Sequence, residues 1–271
     1  MTDRSLLKRL EAYYDAVPRG RADAEEIGPF TLFVARLGWP YYARPRLGET
    51  AMTVESVRRV LERQRELGVP LAFEWVDETT PGLDEVVLAA GLRVDRCPLL
   101  VLAAEPTGAV GDARLLGPLD SRELALSRAA ISVGFEAGGT ATGDEGIRER
   151  DAALGTGFAV IDEQVEAGLR SGEIRAAACY AVEDQALGPV GGGSHTPVGD
   201  VTEIAGVGVL PAYRRRGLAA AVTHVLARDA RDHDVETVFC SAQNDDVARI
   251  YGRIGFHRVA TACIAALGDS H

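Results

Sequence analysis

Between Val207 and Ala219 the chain reads Val-Gly-Val-Leu-Pro-Ala-Tyr-Arg-Arg-Arg-Gly-Leu-Ala. An apolar run ends at a proline, and a basic turn containing a glycine follows. Leu218, Val222, Val225 and Leu226 then recur at the spacing of one helix face. This order constrains the fold more than any other stretch. A strand that enters a helix through such a turn aims several backbone N–H groups at one point, where the helix dipole adds positive potential. Gly217 keeps a Cβ away from that point. The turn is therefore suited to a phosphate or pyrophosphate.

Whatever binds there must be held by local geometry, because 29 Lys and Arg against 40 Asp and Glu leave a net charge of −11. That balance argues against a general nucleic-acid or membrane-surface binder. Cys97, Cys179, Cys240 and Cys263 are scattered without a Cys-x-x-Cys pair, so neither disulfides nor a zinc site is expected, and the carboxylates show no metal spacing. No apolar run approaches the ~18 residues of a membrane span, and the first residues lack the apolar core of a signal peptide. A cytoplasmic location is the expectation.

At 271 residues the chain suits two domains. A break falls at 104–112, Ala-Glu-Pro-Thr-Gly-Ala-Val-Gly-Asp, so the expected domains are 1–105 and 112–271. In the first, the patterns predict helices at 5–16, 53–67 and 81–90. Strands are expected at 30–35 and 71–76, and two short strands finish the domain. Trp39-Pro-Tyr-Tyr42 reads as a packing cluster. In the second, strands are expected at 113–116, 175–182, 186–193, 201–209, 235–240 and 257–265. Helices are expected at 121–135, 158–171, 218–230 and 245–254, with a glycine-rich loop at 134–157. Helices alternating with strands give an α/β (α+β) class.

Three features in order make residues 112–271 resemble the GNAT superfamily of acyl-CoA-dependent N-acyltransferases. Arg214-Arg-Arg-Gly-Leu-Ala219 fits that family's Arg/Gln-x-x-Gly-x-Gly/Ala turn. It lies directly between an apolar strand and an amphipathic helix. Asn244, Tyr251 and Gly255-Phe256 match the family's ending. Val247 departs from the pattern, since a small residue is usual there, and the resemblance implies that it would narrow the space beside the pantetheine arm. The first half looks like a worn copy of the same fold, the plainer alternative being an unrelated cap domain. Its strand 71–76, helix 81–90, Gly91-Leu92 and closing strands echo the second half's ending. Its turn, Arg44-Pro-Arg-Leu-Gly-Glu49, lacks the motif, and Pro45 removes a backbone donor. The resemblance implies two GNAT-like domains, each a mixed, mostly antiparallel sheet flanked by helices, with one working cofactor site.

The resemblance also implies roles. Gly217, Leu218, Ala219 and Ala220 would offer backbone N–H groups to the pyrophosphate, with charge from Arg214, Arg215 or Arg216. Val207 and Val209 would bond the pantetheine amides, and one N–H near Val209 would face the thioester carbonyl as an oxyanion donor. Tyr251 is the candidate general acid for the leaving thiolate. Asn244 is expected to cap the last helix and touch the cofactor. Glu203 is the candidate base, with strand alternation placing Glu203, Ala205, Val207 and Val209 on one face. Against each stands a plainer reading: a surface basic cluster, a space-filling tyrosine, a strand-end carboxylate. His195 is a weaker candidate base, read as a solvated loop residue with no paired acid in view. His224 and His233 read as structural or solvent-facing, and Cys179 and Cys240 as core residues.

The sequence thus predicts an acetyltransferase that moves an acetyl group from acetyl-CoA, its co-substrate, directly to an amine in a ternary complex. Residues 135–157 and the strand bearing Glu203 would line the acceptor cleft. No metal, nucleic acid or membrane is implied, and a homodimer is left open. The alternative is a non-catalytic acyl-CoA-binding or sensor module.

Overall fold

The apolar faces read from periodicity do form the cores. A computed structural model of the chain describes them over residues 3–36, 40–108, 111–161 and 163–267. Trp39 of the aromatic cluster lies outside the described residues. Contacts divide the chain into two units. One takes residues up to Leu99, Ser241–Asn244 and those from Arg258 on; the other takes Leu100–Cys240 and Asp245–His257. The division therefore differs from the single cut expected between 105 and 112.

The first unit begins with α1 (Arg4–Arg19), then β1 (Ala22–Ile27), β2 (Phe30–Ala35) and β3 (Arg44–Pro45), which form an antiparallel sheet. Next come α2 (Val54–Leu67), β4 (Ala72–Val76), α3 (Leu83–Ala89) and β5 (Leu92–Leu102). Helix α2 starts where it does because Thr53 and Ser56 cap each other, at 3.1 and 3.0 Å. It stops at Gly68, which is left-handed. Its buried Val57, Val60 and Leu61 pack with Phe30, Phe73, Trp75 and Leu83. The end of the last strand, β11 (Phe256–Leu267), pairs antiparallel with β4 over Ala262–Ala266.

Two elements here depart from expectation. Strand β1 was not anticipated, because in Ala-Asp-Ala-Glu-Glu-Ile only the two ends are buried and the centre reads as polar. The two short strands expected to close the half are one, β5, which runs through Pro98. Pro98 has no N–H to give, yet its carbonyl still accepts from Ala242 N–H at 2.9 Å.

The second unit contains β6 (Ala113–Leu116), α4 (Ser121–Glu136), α5 (Ile147–Ala153), α6 (Glu163–Ser171), β7 (Arg175–Cys179) and β8 (Gly191–His195). It continues through β9 (Val201–Val209), α7 (Leu218–Asp232), β10 (Thr237–Ser241) and α8 (Asp245–Gly252), and β11 begins in it. Strands β6 to β9 form an antiparallel meander, and β10 runs parallel to β9. Helix α7 buries Leu218, Val222 and Leu226, as its spacing predicted, whereas Val225, expected on the same face, is only half-buried. The glycine-rich stretch expected to be a loop contains α5. Glu149 caps that helix by accepting from Gly146 N–H at 2.8 Å. Buried Arg150 ties it down by donating to the Pro189 carbonyl at 2.8 Å. The strand expected over 186–193 begins later, because Val182–Leu187 is a 3-10 turn. The fold is mixed α/β with mainly antiparallel pairing, as expected. Its element order repeats: β1–β2–β3, α2, β4, α3, β5 follows the plan of β7–β8–β9, α7, β10, α8, β11.

Candidate functional site

Strand β9 organises the site through two irregularities. Its ladder with β8 runs Gly191↔Val209, Gly192↔Gly208, Ser194↔Ala205 and His195↔Ile204. Two steps on β8 oppose three on β9, so an extra residue is inserted around Gly206, whose φ is +63°. An inserted residue inverts alternation beyond it. Glu203 and Ala205 therefore share a face that Val207 and Val209 do not, which corrects the one-face reading.

The second irregularity is on the other side of β9. Parallel pairing with β10 covers only Val201 to Glu203, opposite Thr237 to Phe239. The ladder then ends while β9 continues to Val209, leaving a wedge in the sheet. Leu210 N–H donates to the Val190 carbonyl at 2.9 Å. Successive residues of an antiparallel ladder alternate their donors, so the N–H of Val209 points away from β8, toward the wedge.

Past Val209 the chain makes a short 3-10 turn at Pro211–Tyr213, then Arg215 and Gly217 adopt left-handed φ of +64° and +80°. Glycine suits the second position because it has no Cβ to strain. Helix α7 follows with no side-chain cap and no acidic residue in its first turn. Its first internal bond is Ala221 N–H to the Gly217 carbonyl at 3.0 Å. The N–H groups of Leu218, Ala219 and Ala220 thus have no acceptor within the helix. Arg215 and Arg216 are exposed at this turn, and Arg216 lies over the Tyr213 ring and pairs with Glu183. Arg214 departs from expectation, since its guanidinium donates to protein carbonyls at Gly134, Gly138, Ala141 and Val209.

Tyr251, on α8, is buried and tilted against Phe256 with ring centroids 6.0 Å apart. Burial, then the nearby Cys240 thiol and Glu203 carboxylate, push its phenol well above the usual range. Burial, then Glu203, do the same to Cys240 on β10. The fold thus gathers Glu203, Cys240 and Tyr251 from three elements. Cys240 is fully buried, in keeping with a core role, and so is Cys179. Asn244 stands immediately before α8, at the cap position. Among the described residues no cluster of three His, Cys, Asp or Glu could hold a metal ion, and no helix is long and apolar enough to cross a membrane.

His195 is not the solvated residue the sequence suggested. It is only 2% exposed and lies on β8. Its Nε2 is 2.9 Å from Asp229 Oδ2 and its Nδ1 is 3.1 Å from Thr202 Oγ1. Asp229, on α7, also accepts two bonds from Arg175, at 2.8 and 2.7 Å. His195 pairs with Ile204 and turns toward α7, opposite to the face of Glu203, so it is no rival base. The missed signal was Asp229 itself, which falls on the apolar stripe of α7 after Leu218, Val222 and Leu226. A carboxylate on a buried face implies a partner. His224 is buried, with Nδ1 3.2 Å from the Thr107 carbonyl, and His233 ends α7 beside Arg175.

The Acetyltransferase (GNAT) family model matches residues 153–256. Among solved structures, a GCN5-related N-acetyltransferase from Kribbella flavida is 20% identical with a TM-score of 0.64, over 98% of this chain and 96% of that one. A putative GNAT-family acetyltransferase from Novosphingobium aromaticivorans is 14% identical with a TM-score of 0.57, over 97% and 99%. A tandem GNAT protein from the clavulanic acid biosynthesis pathway is 16% identical with a TM-score of 0.50, over 89% and 80%. At these identities the likeness is one of fold. A search of curated proteins found no significant match. Residues 153–256 thus match the Acetyltransferase (GNAT) family model, and the Arg214–Ala219 turn, Asn244, Tyr251 and Gly255-Phe256 all fall inside the matched stretch.

Proposed function

We propose that the second unit binds acetyl-CoA and transfers its acetyl group directly to an amine. The observation that carries this is the wedge in the sheet. Pairing of β9 with β10 ends at Glu203, and the opened edge of β9 leads into a helix start with three outward N–H groups. An acyl-pantetheine arm fits such an edge, because its amides can take the ladder bonds that β10 relinquishes. The pyrophosphate would lie on Leu218, Ala219 and Ala220, approached past Gly217, with Arg215 and Arg216 adding charge. Val207 and Val209 would bond the pantetheine amides, and the Val209 N–H, directed into the wedge, would stabilise the oxyanion.

Glu203 would accept the amine proton through water, and Tyr251 would return a proton to the departing thiolate. The phenol is buried and fully protonated at neutral pH, so the proton is present to be given. Asn244 would begin α8 and so fix the helix that carries Tyr251. We read the first unit as a degenerate copy, on the strength of the repeated element order, the missing motif at Arg44–Glu49 and the tandem GNAT protein of similar fold. The amine acceptor's identity is open to assay, and the acidic chain favours a cationic one.

Calorimetric titration of the full chain with acetyl-CoA tests the proposal. One site per chain is the expected result. Two sites would overturn the degenerate reading of the first unit, and no binding would overturn the acetyltransferase reading itself.

A further inference from the structure

We infer that Arg214 is a positioning residue that ties the segment 134–146 to the cofactor turn, rather than a phosphate ligand. This rests on the proposed function only in calling that turn a cofactor site. The guanidinium gathers parts of the chain distant in sequence. Nη2 donates to the Gly134 carbonyl at 2.5 Å, Nη1 to those of Gly138 at 2.7 Å and Ala141 at 3.1 Å, and Nε to that of Val209 at 3.3 Å. These bonds engage four of its N–H donors and leave one. Gly134 lies in the last turn of α4, where carbonyls lack helical partners and the dipole is negative, so a cation is favoured there.

Two further observations show that the junction is built. A Cβ on residue 134 would sit 2.9 Å from the Val209 carbonyl oxygen, so the approach of α4 to β9 requires glycine. The backbone adds its own stitches next to Arg214, with Gly143 N–H to the Pro211 carbonyl at 3.3 Å and Ala212 N–H to the Glu145 carbonyl at 3.0 Å. The residue at the head of the turn therefore faces backward into the protein. It holds the end of β9, whose Val209 N–H looks into the wedge, and the segment the acceptor would meet. Cofactor binding at the turn and order in 134–146 are consequently coupled, and coupling is reciprocal.

Hydrogen exchange on the full chain tests this, with coenzyme A as the probe, for the wild type, Arg214→Ala and Arg214→Lys. In the free protein Arg214→Ala should speed exchange in 138–146 by about tenfold or more. Arg214→Lys, which cannot reproduce the fork, should fall between. Coenzyme A should slow exchange of 134–146 in the wild type. In Arg214→Ala it should protect 217–221 but no longer 134–146, with affinity reduced less than about tenfold. Unchanged exchange of 138–146 in both variants would overturn the inference. So would an affinity loss of about a hundredfold with that segment unaffected, which would make Arg214 a ligand. If Arg214→Ala does not fold, the Lys variant decides by the same comparison. If the wild type binds no coenzyme A, the function reading fails, while the free-protein exchange rates still decide the tie.

Discussion

Replacing Tyr251 by phenylalanine separates the proposed chemistry from folding, because the ring packs against Phe256 while the proposed acid role falls to the hydroxyl alone. The ring is 6% exposed and packs against Phe256, and phenylalanine keeps both features. Stability should change by less than about 1 kcal/mol. Turnover should not be spared. A positioned general acid contributes roughly 10²–10⁴ in rate, or about 2.7–5.5 kcal/mol of barrier. The assay is thiol release from acetyl-CoA with a panel of primary amines, run beside calorimetry and thermal melts. We expect a fall of at least about a hundredfold in turnover, an unchanged coenzyme A affinity and an unchanged melt. The acid is active when protonated, and burial raises its pKa, so its deprotonation should not appear as an alkaline loss of activity up to about pH 9. Turnover within twofold of wild type would refute the assignment, and so would a loss that merely tracks cofactor affinity.

Other expectations follow from the same geometry. Gly217→Val should weaken coenzyme A binding by more than about tenfold, as read by calorimetry. A Cβ there meets no protein atom within 4 Å, so an unchanged affinity would count against the pyrophosphate site, while the left-handed φ alone costs about 1–2 kcal/mol of stability. Glu203→Gln should depress turnover at neutral pH and leave coenzyme A affinity within about twofold; full activity would remove it as the base. Asp229→Asn should lower stability at pH 7 by about 3 kcal/mol, since it breaks a buried pair with Arg175 and the contact to His195. Burial pushes the Asp229 carboxyl up, but His195 and Arg175 together outweigh it and hold it well below the usual range, so its stabilising effect is present above the unfolded value near ~4 and fades as pH falls below it. Denaturant curves should show the gap between wild type and variant narrowing progressively as pH falls below about 4, with part of it still present at pH 3, and a gap of unchanged size from pH 7 down to about pH 2 would contradict this reading.

The local elements were legible because local rules make them. Thr53 and Gly68 bound α2, the stripe Leu218, Val222 and Leu226 forms the buried face of α7, and the span of β9 follows its apolar run. The turn at Arg214–Ala219 could be read for the same reason, since strand, glycine and helix start are adjacent in the chain. Elements whose stabilising contacts come from elsewhere were not legible. Helix α5 depends on Arg150 reaching the Pro189 carbonyl, and β1 on pairing with β2 despite its charges.

The sequence by itself determined the class of fold, the strand–turn–helix at Arg214–Ala219 and the residue types on which the proposed acetyl transfer draws, because each is written in consecutive residues or a fixed period. Tertiary structure alone decided where those side chains point. One extra residue at Gly206 put Glu203 and Val209 on opposite faces. A carboxylate on α7 drew His195 inward, and four carbonyls drew Arg214 away from solvent. A charge or a hydrogen-bonding group goes to whatever partner the fold brings near, and those partners are far away in the chain.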